Sequence, residues 1–192
     1  MARTLRPVVF ADANVLYAAA LRDILIELAL AGTIRLHWSA EVLEEVERAL
    51  SRNRPDLEPH RFKRLFAAMR DVLPDAEVAP VPLKTLSARL PDPDDAHVLA
   101  GALAGDCSHI LTFNLADFPV KELSKDGDIV AIHPDAFLLE VLTTEAAPFI
   151  NAVVAVQRSL SRPELPMPEF LDRLTRLGLS QTAALLRALL AL

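Results

Sequence analysis

The chain has 192 residues, a formal net charge of −6, an apolar fraction of 52% and only five glycines. This composition predicts a packed, helix-rich globule and excludes a disordered or low-complexity chain. The single cysteine, Cys107, excludes an internal disulfide, and no stretch reaches the roughly 18 uncharged apolar residues that span a bilayer. Because the first residues also lack a secretory signal pattern, we expect a cytoplasmic protein without membrane attachment.

Strands and helices alternate in the predicted order of elements. In chain order they are a strand at 8–11, a helix at 14–31, a strand at 34–38, a helix from Ser39 to about Leu50, a helix at 60–72, a possible strand at 77–81, a possible helical turn at 83–88, a helix at 95–104, and strands at 109–112 and 129–132. This order predicts an α/β fold, a three-layer α/β/α sandwich with a central parallel sheet and right-handed crossovers.

After Ile132 the composition shifts to helical segments interrupted by prolines. Pro134 can occupy the first position of a short helix at 135–142. The last segment, 180–192, is mostly Leu and Ala, and its apolar surface must be buried on its own domain, a second subunit or a partner. We therefore predict one domain at 1–133 and a helical C-terminal extension at 134–192.

Charge is distributed unevenly along the chain. Residues 48–70 carry seven basic side chains against two acidic ones, a local net charge of +5, whereas residues 71–145 have a net charge of −10. A basic flank beside an acidic pocket suits a metal-dependent nuclease, although a solvated helical hairpin would show the same pattern. The candidate phosphate-binding residues are Arg48, Arg52, Arg54, Arg61 and Arg64.

Acidic residues follow the predicted strands or begin the next helix. Asp12 follows the first strand, Asp92 and Asp95 precede a helix, and Asp117 follows the strand at 109–112. In an open parallel sheet, the carboxyl ends of the strands meet at one edge, where ligands bind. Several carboxylates cannot share a pocket as bare anions, so the cluster predicts a hard divalent cation, Mg²⁺ or Mn²⁺.

Each acid also has a structural interpretation. Asp12 and Asp95 could cap the helices that they precede, and Asp117 could pair with Lys121. The three acids between 92 and 95 cannot all be caps, so at least one is expected to have another role.

Helical geometry separates the glutamates of the helix after Ser39 only in part. At about 100° per residue, Glu45 borders one edge of the apolar arc and Glu47 borders the other, while Glu44 points away. Periodicity therefore rejects Glu44 and leaves Glu45 and Glu47 open.

Neutral polar residues accompany the acids. Asn14, Thr112 and Asn114 could orient ligands or water, and His97 points to a different helix face from Asp95, which favours packing or a supporting role. Cys107 could be a nucleophile but is better interpreted as a small buried residue.

Four motifs, in this order, resemble those of PIN-domain ribonucleases, and more narrowly the VapC-type toxins of toxin–antitoxin pairs. They are Asp12-Ala13-Asn14, residues 39–46, residues 92–97 and residues 111–119. The resemblance covers roughly residues 7–133, and residues 178–184 are similar to a helical extension found in one branch of these toxins.

The resemblance implies a nuclease domain at 1–133 in which Asp12, Glu45 and Asp95 surround one Mg²⁺ or Mn²⁺. It selects Glu45 over Glu47, lets Asp117 or Asn114 complete the site, and assigns supporting roles to neighbouring polar residues. Those residues are Asn14, Asp92, Thr112 and Asn114. One departure is that many members carry an acid where this chain has Asn114, which lowers the negative charge of the site.

The resemblance further implies an endoribonuclease toxin that hydrolyses a tRNA or rRNA loop with metal-activated water. It implies a homodimer and a small antitoxin that neutralises the toxin. Trp38 and Phe113 could stack on RNA bases, although core packing is the alternative for both.

Three other functions compete with this hypothesis. A haloacid-dehalogenase-type phosphohydrolase also has an Asp after its first strand, but it needs a second acid where Asn14 stands. A catalytically inactive PIN-like module that binds RNA or a partner would fit Asn114 and the acidic net charge. A nuclease that processes RNA outside any toxin–antitoxin pair would carry the same motifs.

Overall fold

A parallel four-stranded sheet lies at the centre of the molecule in a computed structural model, which describes residues 6–56, 58–160 and 165–191. The strands are β1 (Val8–Ala11), β2 (Arg35–His37), β3 (His109–Leu111) and β4 (Val130–Ile132). Their order is β2-β1-β3-β4, and every pair is parallel. The chain leaves β1 towards β2 and returns on the other side at β3, which creates a topological switch point at β1 and β3. The predicted parallel α/β sandwich is thus confirmed.

Ten helices surround and extend this sheet in the described part of the chain. They are α1 (Ala13–Tyr17), α2 (Ala19–Leu30), α3 (Ala40–Asn53), α4 (Pro59–Val72), α5 (Ala96–Ala104), α6 (Val120–Leu123), α7 (Pro134–Thr144), α8 (Ala146–Ser159), α9 (Met167–Arg176) and α10 (Ser180–Leu189). Short 3-10 turns occupy Leu83–Thr85, Pro93–Asp95 and Leu115–Asp117.

Local sequence signals account for several helix ends. Gly32 adopts a φ of +69°, and backbone N–H groups of Gly32 and Thr33 donate to the carbonyls of Ala29 and Leu28, which closes α2 with a Schellman motif. The Ser39 hydroxyl accepts a hydrogen bond from the N–H of Val42 at 3.3 Å and caps α3.

Two sequence-based expectations about elements are wrong. The single helix expected at 14–31 is broken at Ala18, whose ψ of 97° is extended, so that α1 and α2 are separate helices. The possible strand at 77–81 is reduced to one parallel bridge between Glu77 and Trp38, with Trp38 bonded to the flanking Ala76 and Val78 backbone. No proline or glycine marks the break at Ala18, so tertiary packing decides it, whereas Pro80 lies inside the expected strand at 77–81 and cannot donate a backbone hydrogen bond to a ladder.

The close packing of α5 on β1 determines where Asp12, at the end of β1, and Asp95, at the start of α5, lie. A Cβ on Gly101 would lie 2.4 Å from the ring of Phe10, so glycine permits α5 to lie directly against β1. Asp12 follows β1 and Asp95 precedes α5, and this close packing therefore brings their backbones to the same side of the molecule.

The C-terminal helices share one apolar core with the sheet. α8 packs against α2, and α10 packs against α7 and α9. Phe149, Phe170 and Leu186 are fully buried in the cluster that also contains β1. The last helix was expected to reach Leu192, which lies outside the described residues; α10 itself ends at Leu189. Within the described ranges, no helix has the length and apolar character needed to cross a bilayer.

Candidate active site

Asp12 is the most firmly held acid at the carboxyl edge of the sheet. Its side chain is buried and accepts hydrogen bonds from the backbone N–H of Ala13 at 2.6 Å, from Asn14 Nδ2 at 2.6 Å and from Thr112 Oγ1 at 2.7 Å. Burial raises the pKa of Asp12 above its usual value, and the hydrogen bonds from Thr112 and Ala13 oppose the rise. Asp12 therefore caps α1 and still presents a carboxylate that is confined to one orientation.

A polar network links the segments that follow β1 and β3. Asn14 Nδ2 also lies 3.1 Å from Thr112 Oγ1, while Asn14 Oδ1 accepts from the N–H of Phe113 at 3.1 Å. The N–H of Asn114 donates to Thr112 Oγ1 at 3.0 Å. Of the residues expected to support the site, Asn14, Thr112 and Asn114 therefore contact Asp12 or one another, because β1 and β3 are neighbours in the sheet, whereas Asp92 accepts from the N–H of Asp94.

Asp95, at the start of α5, lies close enough to Asp12 for their charges to interact. The pKa of Asp95 is raised to about 6, first by burial and then by the charges of acidic neighbours. Those neighbours, in order of effect, are Asp12, Asp117 and Asp92. Asp92 itself caps the 3-10 turn at Pro93–Asp95 by accepting from the N–H of Asp94 at 2.9 Å. The side chain of Asp95 makes no such capping bond.

Glu45 faces α5 from α3. Its Oε1 lies 3.6 Å from His97 Nε2, and its side chain is half-buried, whereas the side chain of Glu44 is 69% exposed. His97 is oriented from its other side by the Asp94 carbonyl, 2.7 Å from Nδ1. Glu45 raises the pKa of His97, although burial acts in the opposite direction. The structure therefore places Glu45, and not Glu44, towards the acidic cluster.

Asn114 and Asp117 act as a pair on the loop after β3. Asn114 Nδ2 donates a hydrogen bond to Asp117 Oδ2; Asn114 precedes the 3-10 turn at Leu115–Asp117, and Asp117 is its last residue. Asp117 is half-buried and contributes to the raised pKa of Asp95. The neutral Asn114 thus positions Asp117, and the charge of Asp117 contributes to raising the pKa of Asp95.

Carboxylate oxygens are the donors that Mg²⁺ and Mn²⁺ prefer, so the chemistry of this donor set fits such an ion. The acidic neighbours that, after burial, raise the pKa of Asp95 create a negative potential at the site, and a bound cation would neutralise it. Among the described residues, no three His, Cys, Asp or Glu side chains are close enough together to enclose an ion in this arrangement. Direct ligation by Asp12, Glu45 and Asp95 together stays a prediction.

The basic residues of α3 and α4 differ in how they are paired. Arg54 forms two hydrogen bonds with Asp56, at 2.9 and 2.7 Å. Arg48 lies 3.6 Å from Glu45 and 4.0 Å from Glu44. Arg52, Arg61 and Arg64 are exposed and, in the described ranges, form no ion pair. These last three are the guanidinium groups most available to an external anion.

The burial of Cys107, Trp38 and Phe113 bears on the alternative roles that the sequence left open for them. Burial raises the pKa of the Cys107 thiol to about 12, which removes it as a nucleophile at neutral pH. Trp38 is fully buried and cannot stack on a base, while Phe113 is half-buried with its ring against His133. The contact of His97 with Glu45 joins two helices that are distant in sequence, so helix-face geometry could not reveal it.

Two family models match the chain. The model of the PIN domain matches residues 8–116, and the model of the VapC50 C-terminal domain matches residues 134–188. The search of curated proteins and the search of solved structures gave no match. The first matched range contains Asp12, Glu45, Asp92 and Asp95 and the neutral Asn114, and Asp117 follows directly after it.

Proposed function

The chain belongs to the PIN-domain family, as a VapC-type member with a C-terminal extension, and on this premise we propose that it is a metal-dependent endoribonuclease. The family is one of nucleases, which are hydrolases of phosphodiester bonds. The observation that carries the proposal is the buried, hydrogen-bonded Asp12 beside Asp95, whose pKa is raised to about 6 by burial and by its acidic neighbours. Such perturbed acids in one cluster are typical of functional sites.

Asp12, Asp95 and Glu45 would hold the cation, with Asp117 at the margin. When bound there, Mg²⁺ or Mn²⁺ supplies the charge that polarises a phosphate and lowers the pKa of a water molecule. Thr112 and Asn14 fix the orientation of Asp12 through their hydrogen bonds. Supporting groups of this kind keep a ligand in its productive position.

The separation of basic and acidic residues along the chain supports RNA as the substrate. The acidic cluster would repel the RNA backbone, whereas the exposed guanidinium groups of Arg52, Arg61 and Arg64 would attract phosphates without reading sequence. Arg48 stands next to Glu45 and links the basic surface to the acidic cluster. Recognition of a tRNA or rRNA loop would then depend on its shape and unstacked bases.

The toxin role, the homodimer and neutralisation by a small antitoxin are part of the same proposal, because the chain is VapC-type. We also propose a cytoplasmic location and a division into a nuclease domain at 1–133 and a helical extension at 134–192. α8 of the extension packs against α2 of the nuclease domain, and both belong to one apolar core, so the extension is expected to fold together with the nuclease domain.

The test is cleavage of a mixed tRNA and rRNA pool by the purified chain with Mn²⁺ or Mg²⁺. We expect discrete cuts that EDTA abolishes, and a loss of more than about 100-fold in Asp12→Asn and Asp95→Asn, because losing even an outer partner of a metal ligand costs 10- to 100-fold. The exposed acid Asp71 on α4 provides the matched control, Asp71→Asn, which should cut as the wild type does.

Thermal unfolding in EDTA shows whether the variants are folded. Asp95→Asn should be at least as stable as the wild type, since it removes a like-charge repulsion from the cluster. A folded wild type that cuts nothing and binds no Mn²⁺ by calorimetry would contradict the nuclease proposal and favour an inactive binding module. Cutting that persists in Asp12→Asn would contradict the assignment of the site.

A further inference from the structure

A groove between α1 and α3 opens beside the acidic cluster. Its cavity volume is about 480 Å³, within the range of about 300–1,000 Å³ that is usual for small-ligand sites. We define its inner end by the half-buried side chains of Asn14 and Glu45 and its rim by the exposed side chains of Arg48 and Arg52. Because Asn14 also bonds to Asp12, the groove is continuous with the candidate active site.

Tyr17 and Asn53 form the remaining polar surface of the groove. Asn53 Nδ2 donates a hydrogen bond to the hydroxyl of Tyr17 at 3.1 Å, and this contact lies at the exposed surface. The hydroxyl proton of Tyr17 and the Oδ1 atom of Asn53 have no partner in the described part of the chain. The pair therefore presents the Tyr17 hydroxyl and the second amide N–H of Asn53 as donors, Asn53 Oδ1 as an acceptor, and a half-buried aromatic ring to whatever enters.

The charges around the groove match one nucleotide. Arg48 and Arg52 provide positive charge at the rim for a backbone phosphate, while the aromatic ring provides a surface on which a base can stack. A donor and an acceptor side by side suit the edge of a nucleobase, which has the same alternation. Glu45 disfavours a phosphate at the inner end, which directs the base inwards and the backbone towards the arginines.

We infer that this groove binds one unstacked base of the RNA, next to the bond that is cut, with Tyr17 stacking on the base and Asn53 reading its edge. The inference rests on the proposed nuclease function and adds a specificity site to it. Trp38 is fully buried and cannot stack on a base, so we assign stacking to Tyr17.

Photocrosslinking tests the contact directly. Oligoribonucleotides from tRNA and rRNA loops, each with one 5-iodouridine at successive positions, are bound to the full-length Asp95→Asn chain so that cleavage does not interfere. Irradiation should attach one position of the RNA to the peptide that contains Tyr17, as identified by mass spectrometry. Crosslinks confined to other peptides would overturn the inference.

Affinity and kinetics distinguish stacking from a structural role. Tyr17→Leu should weaken binding by about 5- to 140-fold, as expected for loss of one stacked base, whereas Tyr17→Phe should cost only about two- to tenfold. In the cutting-competent chain, both changes should act mainly on KM, because Tyr17 is predicted to bind substrate and not to hold the cation.

Asn53 provides a second variant that does not depend on the folding of Tyr17→Leu. Asn53→Ala should change which base is preferred at the crosslinked position, and Asn151→Ala, at an exposed asparagine of α8, is the matched control. If the wild type cuts RNA but the Tyr17 and Asn53 variants bind it with unchanged affinity and base preference, the base site is overturned and the nuclease proposal stands. A wild type that neither binds nor cuts RNA would overturn both.

Discussion

Asp12 shows at the residue scale how one side chain serves both folding and chemistry. Burial makes its charged form costly, and bonds from Ala13, Asn14 and Thr112 compensate for that cost. The same bonds restrict the carboxylate to one position. A helix cap and a metal ligand, which the sequence presents as alternatives for Asp12, are therefore compatible functions of one residue.

Pairing at the residue scale predicts unequal contributions from the arginines. Replacing Arg52, Arg61 and Arg64 with Glu should weaken RNA binding and flatten its salt dependence, because each phosphate contact contributes about one unit of the log–log salt slope. Arg54→Glu alone should have a smaller effect than Arg52→Glu alone, since Asp56 already occupies the Arg54 guanidinium. Filter binding over a range of salt concentrations measures both, and equal slopes for the wild type and the triple variant would remove these residues from the RNA path.

At the element scale, Asp135 connects α7 with α10. Its carboxylate accepts from the backbone N–H groups of Gln181 at 3.0 Å and Thr182 at 2.9 Å, which are the first free donors of α10. Burial alone would raise the pKa of Asp135, but the hydrogen bonds from Thr182 and Gln181 outweigh it and hold the pKa below the usual value. One acid at the start of a helix thus caps a different helix that follows it by 46 residues.

Stability should depend on Asp135 in a pH-dependent way. Asp135→Asn is expected to lower the free energy of unfolding by about 1.5–3 kcal/mol near pH 7, the usual contribution of hydrogen bonds to a charged group. Because the folded pKa is depressed, the contribution is complete above the unfolded value of 3.8 and is lost as the pH falls through the folded pKa. Urea unfolding at pH 7 and near pH 3 should therefore show a difference that shrinks in acid.

The exposed Asp128 supplies the control, and Asp128→Asn should leave the free energy of unfolding unchanged at both pH values. A constant difference between the wild type and Asp135→Asn across this range would mean that the carboxylate charge is not what stabilises α10.

At the scale of the whole molecule, the C-terminal extension and the sheet share one core. α8 covers α2, and α10 lies on α7 and α9. The turn between α9 and α10 also approaches the candidate active site, since a Cβ on Gly178 would lie 3.5 Å from the Phe113 ring. On α10, Ala183 and Leu186 are buried against the protein's own chain, whereas Ala184, Ala188 and Leu189 are exposed. Burial on its own chain, one of three possibilities that the sequence left open, therefore accounts for one face of the apolar tail.

Removing α10 should consequently destabilise the protein itself. Leu186 is fully buried and Leu189 on the same helix is 49% exposed, so Leu186→Ala should cost about 2–5 kcal/mol of unfolding free energy and Leu189→Ala far less. Truncation after Leu179 should lower the unfolding temperature by more than either substitution. Calorimetry measures the three proteins, and light scattering reports the oligomeric state. A truncated chain that unfolds at the wild-type temperature would make α10 an assembly surface instead of core.

Much of the fold was predictable because the signals are local. Gly32 and Ser39 mark helix ends through their own backbone and side chain, and the apolar run at 8–11 identifies a buried strand. The break at Ala18 was not predictable, because neither it nor its neighbours is a glycine or proline. The bridge at Glu77 replaced an expected strand because pairing depends on a partner and not on the segment alone.

The motifs of the sequence determined the family, and both family models confirm that resemblance. The order of acids and turns also determined that Asp12 and Asp95 begin neighbouring elements at one edge of the sheet. Only the tertiary structure decided which side chains meet there: Glu45 with His97, Asn114 with Asp117, Thr112 with Asp12. The physical reason is range. Caps and periodicity act within one helix or turn, whereas these contacts join segments that become neighbours only when the strands pair and the helices pack onto them.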